Sequence, residues 1–279
     1  MKKLNSSILP IVKTALQEDI GKGDITTRLL VPDKKVKAQI LAKQDGIICG
    51  LDIARLVFKA VDKKTRLRCL VSDGARVKEG EILVRLQGKA VSILTAERVA
   101  LNFLSHLSGI ASKTNQYVQK IKPHRAKIMD TRKTTPGLRI LEKYAVRCGG
   151  GTNHRIGLWD QVLIKDNHLA VCGQQLSASS LKKLLSSKPK GMKVEIEVKT
   201  LRQFKQVLPV KPDIIMLDNF SLANIKKAVK LNAQKLEVSG GVNLSNVRQI
   251  AATGVERISI GELTHSAPAL DIALNCEKF

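Results

Sequence analysis

The sequence predicts an α/β protein in two parts, an α+β module followed by an incomplete β/α barrel, and three observations carry that expectation. In the first part strand-like pieces come in runs instead of alternating with helices, which marks α+β organisation. From about residue 127 the rhythm becomes strictly strand then helix, and Glu197, Asp218, Ser239 and Ile260 close successive strands at a constant step of 21 residues. Apolar strands separated by single helices form a parallel sheet with right-handed crossovers. About 150 residues hold roughly six such units, short of the roughly 250 that a closed eight-stranded barrel uses.

Taken in order, residues 8–18 read as a short helix, ended by the glycine-rich turn Gly21-Lys22-Gly23-Asp24. Residues 36–42 alternate like a strand, and 51–61 have helical spacing. Residues 65–71 and 81–86 read as strands joined through Asp73-Gly74 and Gly80. The stretch 73–89 has the look of half a lipoyl-type domain with Lys89 as its modified lysine. A plain hairpin explains it, because no second half-repeat follows. A long helix covers 92–117: Ile93, Ala96, Ala100, Leu104, Leu107 and Ala111 recur at steps of three and four, while Arg98, Asn102 and His106 share another face. Strands follow at 126–130, 161–165, 193–198, 213–218, 235–239 and 257–260, with helices between them at 201–208, 222–231 and 244–252.

Composition narrows the function. The 279 residues are 43% hydrophobic, enough for a packed core. Aromatics reach only 3%, too few for the stacking platforms that bind single-stranded nucleic acid. No apolar run approaches the roughly 18 residues of a spanning helix, and residues 8–12 are too short for a signal-peptide core, which points to a cytoplasmic protein with no membrane partner. Five cysteines (Cys49, Cys69, Cys148, Cys172, Cys276) show no disulfide or metal spacing and read as small buried hydrophobes. The 48 Lys and Arg against 24 Asp and Glu leave a formal charge of +24, but the excess is scattered and reads mostly as a solvated lysine-rich surface.

Chemistry gathers where a parallel barrel keeps it, at the carboxyl ends of the strands. The first strand leads into Arg132 and Lys133, the second into Lys165, Asp166, Asn167 and His168. Glu197 closes the third, Asp218 the fourth, Ser239-Gly240-Gly241 the fifth and Gly261-Glu262 the sixth. One such residue is ordinarily a helix cap; six strand ends together are a site. Ser239, Gly240 and Gly241, with Gly261 one strand later, offer N–H groups and a hydroxyl suited to a phosphate. Arg132, Lys133, Arg155 and Lys165 form a cationic cluster that a multiply charged anion would relieve. Glu197 and Asp218 could hold Mg²⁺, bond sugar hydroxyls or stabilise a developing cation. His154 is either a donor to substrate or a satisfied loop histidine.

These residues carry a resemblance. DTRKTTPGLRILEKYAVRCGGGTNHRIGLWDQVLIKDNH (130–168) closely resembles the quinolinate phosphoribosyltransferases, the carboxylating nicotinate-nucleotide pyrophosphorylases. The likeness runs nearly end to end, through EDIGKGDITT (18–27), ERVALNFLSHLSGIAS (97–112), VEIEV, IMLDNF, SGGV and ISIGELTHSAPALD (258–271). It implies an α/β sandwich domain (1–112, rejoined by 266–279) and an open barrel of six or seven strands (113–265). It implies a homodimer with shared active sites, in some members built further into hexamers. The implied reaction joins quinolinate to phosphoribosyl pyrophosphate with Mg²⁺, giving nicotinate mononucleotide, pyrophosphate and CO₂, the entry from de novo quinolinate into NAD synthesis.

By the same resemblance Arg132, Arg155 and Lys165 bind the two quinolinate carboxylates with His154 alongside, and Arg98 comes from the neighbouring subunit. Lys133 lies near the pyrophosphate, Glu197 and Asp218 at the ribose hydroxyls and metal, and Ser239, Gly240, Gly241 and Gly261 around the 5-phosphate. Lys133, Lys165, Glu197 and Asp218 are thereby the catalytic candidates. Two rivals remain at this level: a related phosphoribosyltransferase with another acid substrate, and a basic nucleic-acid-binding protein, which leaves the strand-end acids unexplained.

Overall fold

The computed structural model describes residues 2–171, 178–231 and 235–277. The chain forms two compact units, one of Met1–Asn115, Thr134–Gly150 and Thr264–Phe279, the other of Gln116–Lys133 and Gly151–Leu263. Residues 134–150, which the sequence reading left in the barrel, therefore group with the first unit. Their helix explains it: Leu141, Glu142, Ala145 and Val146 are buried, the Glu142 carboxylate lies 2.9 Å from His106, and the Tyr144 hydroxyl donates to Asp73 at 2.8 Å.

The first unit begins with α1 (Lys2–Ile20), α2 (Ile25–Leu30), β1 (Lys35–Ala42), β2 (Gly46–Ile47), α3 (Leu51–Val61), β3 (Arg66–Cys69), β4 (Arg76–Val77) and β5 (Ile82–Lys89). The long helix α4 (Ala90–Lys120) carries the chain into the second unit, where β6 (Lys127–Met129) follows; α5 (Arg139–Cys148) returns to the first. Then come β7 (Val162–Ile164), α6 (Asp166–Val171), α7 (Ala178–Ser187), β8 (Val194–Val198), α8 (Leu201–Val207), β9 (Ile214–Asp218), α9 (Leu222–Leu231), β10 (Lys235–Ser239), α10 (Val247–Ala251) and β11 (Arg257–Ser259). The chain ends through α11 (Glu262–His265) and β12 (Ile272–Cys276).

In the first unit an antiparallel sheet runs β12-β1-β5-β3, and β2 pairs with β4. The 73–89 stretch is thus shared between two sheets, with β4 on β2 and β5 between β1 and β3, so it is not the hairpin expected of it; the Lys89 ammonium pairs with Asp33 at 3.0 Å. Asp24 starts α2 by accepting the Thr27 N–H at 2.9 Å, a cap worth about 1 kcal/mol.

In the second unit a parallel sheet runs β6-β11-β10-β9-β8-β7. From β7 to β11 strands consecutive in the chain are neighbours, and β11 returns to β6. No ladder joins β6 to β7 among the described residues, so the barrel is open there. It has six strands, the lower of the two expected numbers. Every residue of β8 is buried, as are all of β9 but its last, Asp218, which matches strands covered on both faces. The strand-to-helix switch after β8 has a local cause: the Thr200 hydroxyl accepts the Gln203 N–H at 3.2 Å, and the Gln203 side chain accepts the Lys199 N–H at 2.7 Å. That reciprocal pair stops the strand just beyond Glu197 and starts α8.

Some expected boundaries move. The helix expected at 244–252 shortens to α10 because Asn243 folds back to accept the N–H groups of Ser245 and Asn246. Cys172 lies outside the described residues. Of the other cysteines only Cys49 is fully buried, so the small-hydrophobe reading fits one of four. No helix of the described residues is long and apolar enough to cross a membrane.

Candidate active site

The parallel register builds the site in layers. It aligns Glu197, Met216, Glu237 and Arg257 in one row, and Asp218, Ser239 and Ser259 in the next toward the strand ends. Side chains two apart on a strand share a face, so Glu195 stands below Glu197 and Glu237 below Ser239.

The upper layer forms a rim. Lys165, just past β7, donates to Glu197 at 2.8 Å; its own side chain is 44% exposed while that of Glu197 is 7% exposed. Asp218 accepts from the Asn219 side chain at 3.1 Å. Arg155 is buried and donates to the Gln161 carbonyl at 3.2 Å. Burial first, and then the neighbouring Arg132 guanidinium, push Arg155 below its ordinary value. Two guanidiniums side by side at the strand ends make a receptor for an anion. Lys133 is exposed beyond them, its N–H donating to Thr131 at 3.0 Å. Asp166, also at a strand end, is committed to Lys199, whose ammonium holds its carboxyl below the usual range. Glu262 accepts the buried Tyr117 hydroxyl.

The glycines divide. Gly240 and Gly241 line a cavity of about 290 Å³ with Asn219, Ser221, Asn246 and Gln249. Gly240 has a φ of +84°, and a Cβ there would lie 2.3 Å from the Asn219 side-chain oxygen, so only glycine fits. Ser239 and Gly261 do not line this cavity; Ser239 stands beside Asp218 in the rim row.

Below the rim lies a buried layer that the sequence reading did not single out. Glu195 and Glu237 have no exposed surface, and their carboxylates stand 3.0 and 3.3 Å from His154 Nε2. Gln161 donates to Glu195 at 2.7 Å, Ser259 donates to Glu237, and Arg257 lies 3.8 Å from Glu237. On the other ring edge Nδ1 accepts the Arg155 N–H at 2.7 Å, so the ring presents its Nε2 proton to the glutamates. Burial opposes charge on His154, but the two carboxylates outweigh it and raise the imidazole to about 9. Burial likewise pushes Glu195 up. His154 therefore keeps its proton at neutral pH. Between its two readings, His154 is thus the satisfied histidine, fixed beneath the rim.

Asp130, buried at the end of β6, was also missed. It accepts the His154 N–H at 2.8 Å and the Asn153 amide at 2.6 Å, tying the 152–155 segment to the sheet. Arg98 belongs to the first unit and is exposed on α4. A signal for Glu195 was present: VEIEV carries acids at both alternate positions of a strand that is otherwise apolar.

Comparison with known proteins agrees with this architecture. Residues 24–108 match the model of the quinolinate phosphoribosyl transferase N-terminal domain, and residues 110–275 that of its C-terminal domain. A probable nicotinate-nucleotide pyrophosphorylase [carboxylating] of Bacillus subtilis is 41% identical over 260 residues, covering 92% of this chain and 89% of its own. The nicotinate-nucleotide pyrophosphorylase [carboxylating] of Mycobacterium leprae is 43% identical over 273 residues, 95% of each chain. The solved nicotinate-nucleotide pyrophosphorylase of Francisella tularensis superposes with a TM-score of 0.92 at 41% identity, covering 98% of this chain and 97% of that one. With both domain models matched across nearly its whole length, the chain belongs to the quinolinate phosphoribosyltransferase family.

Proposed function

We propose that this protein transfers the phosphoribosyl group of phosphoribosyl pyrophosphate to quinolinate, giving nicotinate mononucleotide, pyrophosphate and CO₂ for NAD biosynthesis. The observation that carries the reading is the placement of Arg132 beside Arg155 at the strand ends of a sheet whose rim also holds Lys165, Glu197 and Asp218. Quinolinate is a flat dianion, and planar guanidinium forks can fix both its position and its tilt through paired hydrogen bonds. Lys165 supplies a third cation, and His154 orients the Arg155 backbone from below.

The nucleophile is the substrate's own ring nitrogen. Its lone pair forms the bond to the ribose C1 while the C1–O bond breaks and its electrons leave on pyrophosphate, next to Lys133. While the C1–O bond stretches, positive charge builds on the sugar, where Glu197 and Asp218 stabilise it electrostatically; it passes to the ring nitrogen as the new bond closes. Breaking the ring-to-carboxylate bond beside the nitrogen releases CO₂; the electron pair stays on the ring carbon and takes up a proton. Ser239, Gly240, Gly241 and Gly261 receive the 5-phosphate. Glu197 and Asp218 fit Mg²⁺ by donor chemistry, since both are hard carboxylate oxygens at adjacent strands and the Lys165 bond uses Oε2 of Glu197. When bound, Mg²⁺ neutralises the departing pyrophosphate. A cytoplasmic homodimer, in which exposed Arg98 enters the neighbour's site, belongs to the same reading.

Steady-state assays with quinolinate and with nicotinate as acceptors test it. Quinolinate should be strongly preferred, and equal or better turnover of nicotinate overturns the assignment. For the shared site, mixing inactive Arg98→Ala and Lys165→Ala subunits should restore about a quarter of normal activity after random exchange in a two-fold dimer. No recovery despite demonstrated exchange removes Arg98 from the site.

A further inference from the structure

Away from the strand ends, the first unit brings together two cysteines that lie far apart in the chain. The Sγ atoms of Cys49 and Cys148 and a carboxylate oxygen of Asp73 all fall within 4.8 Å of one another. We propose that Cys148 and Cys49 are a reversible disulfide site that takes a peroxide as its oxidant, with Cys148 as the attacking thiol and Cys49 as the resolving one.

The two positions differ in the way this division of labour needs. Cys148 is the last residue of α5 and is partly exposed, so a small oxidant can reach it. Cys49 is wholly buried, and its backbone is held on both sides by one hydroxyl: its N–H donates to Ser108 Oγ at 2.9 Å, and that hydroxyl donates back to the Cys49 carbonyl at 3.2 Å. A reachable thiol backed by a fixed, sheltered one is the arrangement of thiols that oxidise selectively. The chemistry agrees with the geometry. The Cys49 thiol donates its hydrogen bond to Cys148, and this, opposed by burial, brings Cys148 below the usual thiol value. Burial pushes Cys49 the other way, so the thiolate forms on the exposed partner. A metal ion on the same three groups is disfavoured because Asp73 is already occupied: it accepts the N–H groups of Gly50 and Leu51 at 3.0 and 3.1 Å, capping α3, and the Tyr144 hydroxyl at 2.8 Å.

The step balances. The Cys148 thiolate attacks one peroxide oxygen, the O–O bond breaks, and the departing hydroxide takes up a proton to leave water and a sulfenic acid. The Cys49 sulfur then attacks the Cys148 sulfur, expelling a second water as the S–S bond forms; two thiols are oxidised and one peroxide is reduced. A dithiol reductant reverses it.

Reduced full-length protein treated with hydrogen peroxide, alkylated and mapped by mass spectrometry tests the proposal. The expected result is a loss of about 2 Da, a linked peptide pair holding Cys49 and Cys148, and its disappearance with dithiothreitol. Cys49→Ala should stop at a sulfenic acid on Cys148 that dimedone captures, and Cys148→Ser should give neither product, with circular dichroism confirming that each variant is folded. The proposal is overturned if native protein yields no such pair, if the link runs through Cys69, Cys172 or Cys276, or if the loss survives Cys148→Ser. Retention of added Zn²⁺ that shields both thiols from alkylation also overturns it, assigning the cluster to a cation. The wild-type peptide map decides the matter even where a variant fails to fold, and none of these readouts depends on the acceptor the enzyme uses.

Discussion

Two sets of charge stand on the parallel sheet, built on opposite plans, and register alone does not divide them, since Glu237 of the buried set shares a row with Glu197 of the rim. In the lower layer Glu195, Glu237 and His154 are buried and answer one another, with Gln161, Ser259 and Arg257 completing the set. In the upper set like charges are neighbours: Arg132 stands by the buried Arg155, and the Lys165 side chain, paired with Glu197, is nearly half exposed. A protein satisfies its own buried charges because an unanswered one costs several kcal/mol. Cations set side by side at a rim instead wait for an outside anion. The contrast teaches that burial and partners, more than residue type, separate a group that holds the fold from a group that holds a ligand. Glu195 and Glu197 make the point on a single strand.

The largest test of that division is Arg132→Ala. Loss of a charged, bidentate contact to substrate should lower kcat/KM for quinolinate about 10³-fold, or about 4 kcal/mol, while urea unfolding shifts by less than about 1 kcal/mol. Near-normal turnover, or a stability loss that matches the loss of activity, would place Arg132 in the structural layer.

The lower layer should show the reverse pattern, through pH. Folded His154 holds its proton up to about pH 9, whereas an unfolded histidine releases it near 6.5. The stabilisation is therefore complete below about 6.5 and is lost as pH rises through 9, an effect on the order of 3 kcal/mol. Urea titrations between pH 6 and 9.5 should show this fall in the native chain and a much shallower one in His154→Gln. Parallel curves for the two proteins would mean that the triad does not couple to folding.

The same contrast explains what could be read in advance. The rim was legible because parallel strands present their last residues together, so a constant 21-residue step pointed at Glu197, Asp218 and Ser239 at once. The lower layer was not, because that reasoning took one residue per strand and stopped, although the alternation in VEIEV and the Glu237–Ser239 spacing carried the same information one step deeper. Asp130 escaped for a different reason: its partners His154 and Asn153 lie 24 and 23 residues on, and no local pattern marks the meeting. The placement of α5 with the first unit also depends on distant partners, His106 and Asp73. The Cys49–Cys148 approach is of the same kind. Periodicity reports which face a residue takes, and it is silent on which remote residue fills that face.

Gly240 tests the rim's backbone instead of its charges. Its φ of +84° and the Asn219 oxygen at 2.3 Å from a built Cβ leave no room for a side chain, and Asn219, itself at φ +56°, is the group that bonds Asp218. Gly240→Ala should cost about 1–3 kcal/mol of stability and push Asn219 off Asp218, lowering kcat roughly tenfold. A variant with unchanged melting temperature and unchanged kcat would show that the turn carries neither load.

The smallest effects come from two serines that face each other across β10 and β11. Ser239 and Ser259 are register partners, alike in chemistry, yet Ser239 is partly open at the rim while Ser259 is buried and donates to Glu237. Removing the buried hydroxyl strips a partner from a carboxylate that cannot recover it from water, so Ser259→Ala should cost about 1–2 kcal/mol of stability and leave the KM for phosphoribosyl pyrophosphate nearly unchanged. Ser239→Ala should do the opposite: water replaces the lost partner in the free protein, so stability holds, while the KM rises several-fold because the bound phosphate has lost a donor. Equal stability losses in both variants would erase the boundary between the layers, since two hydroxyls in adjacent register would then be doing one job.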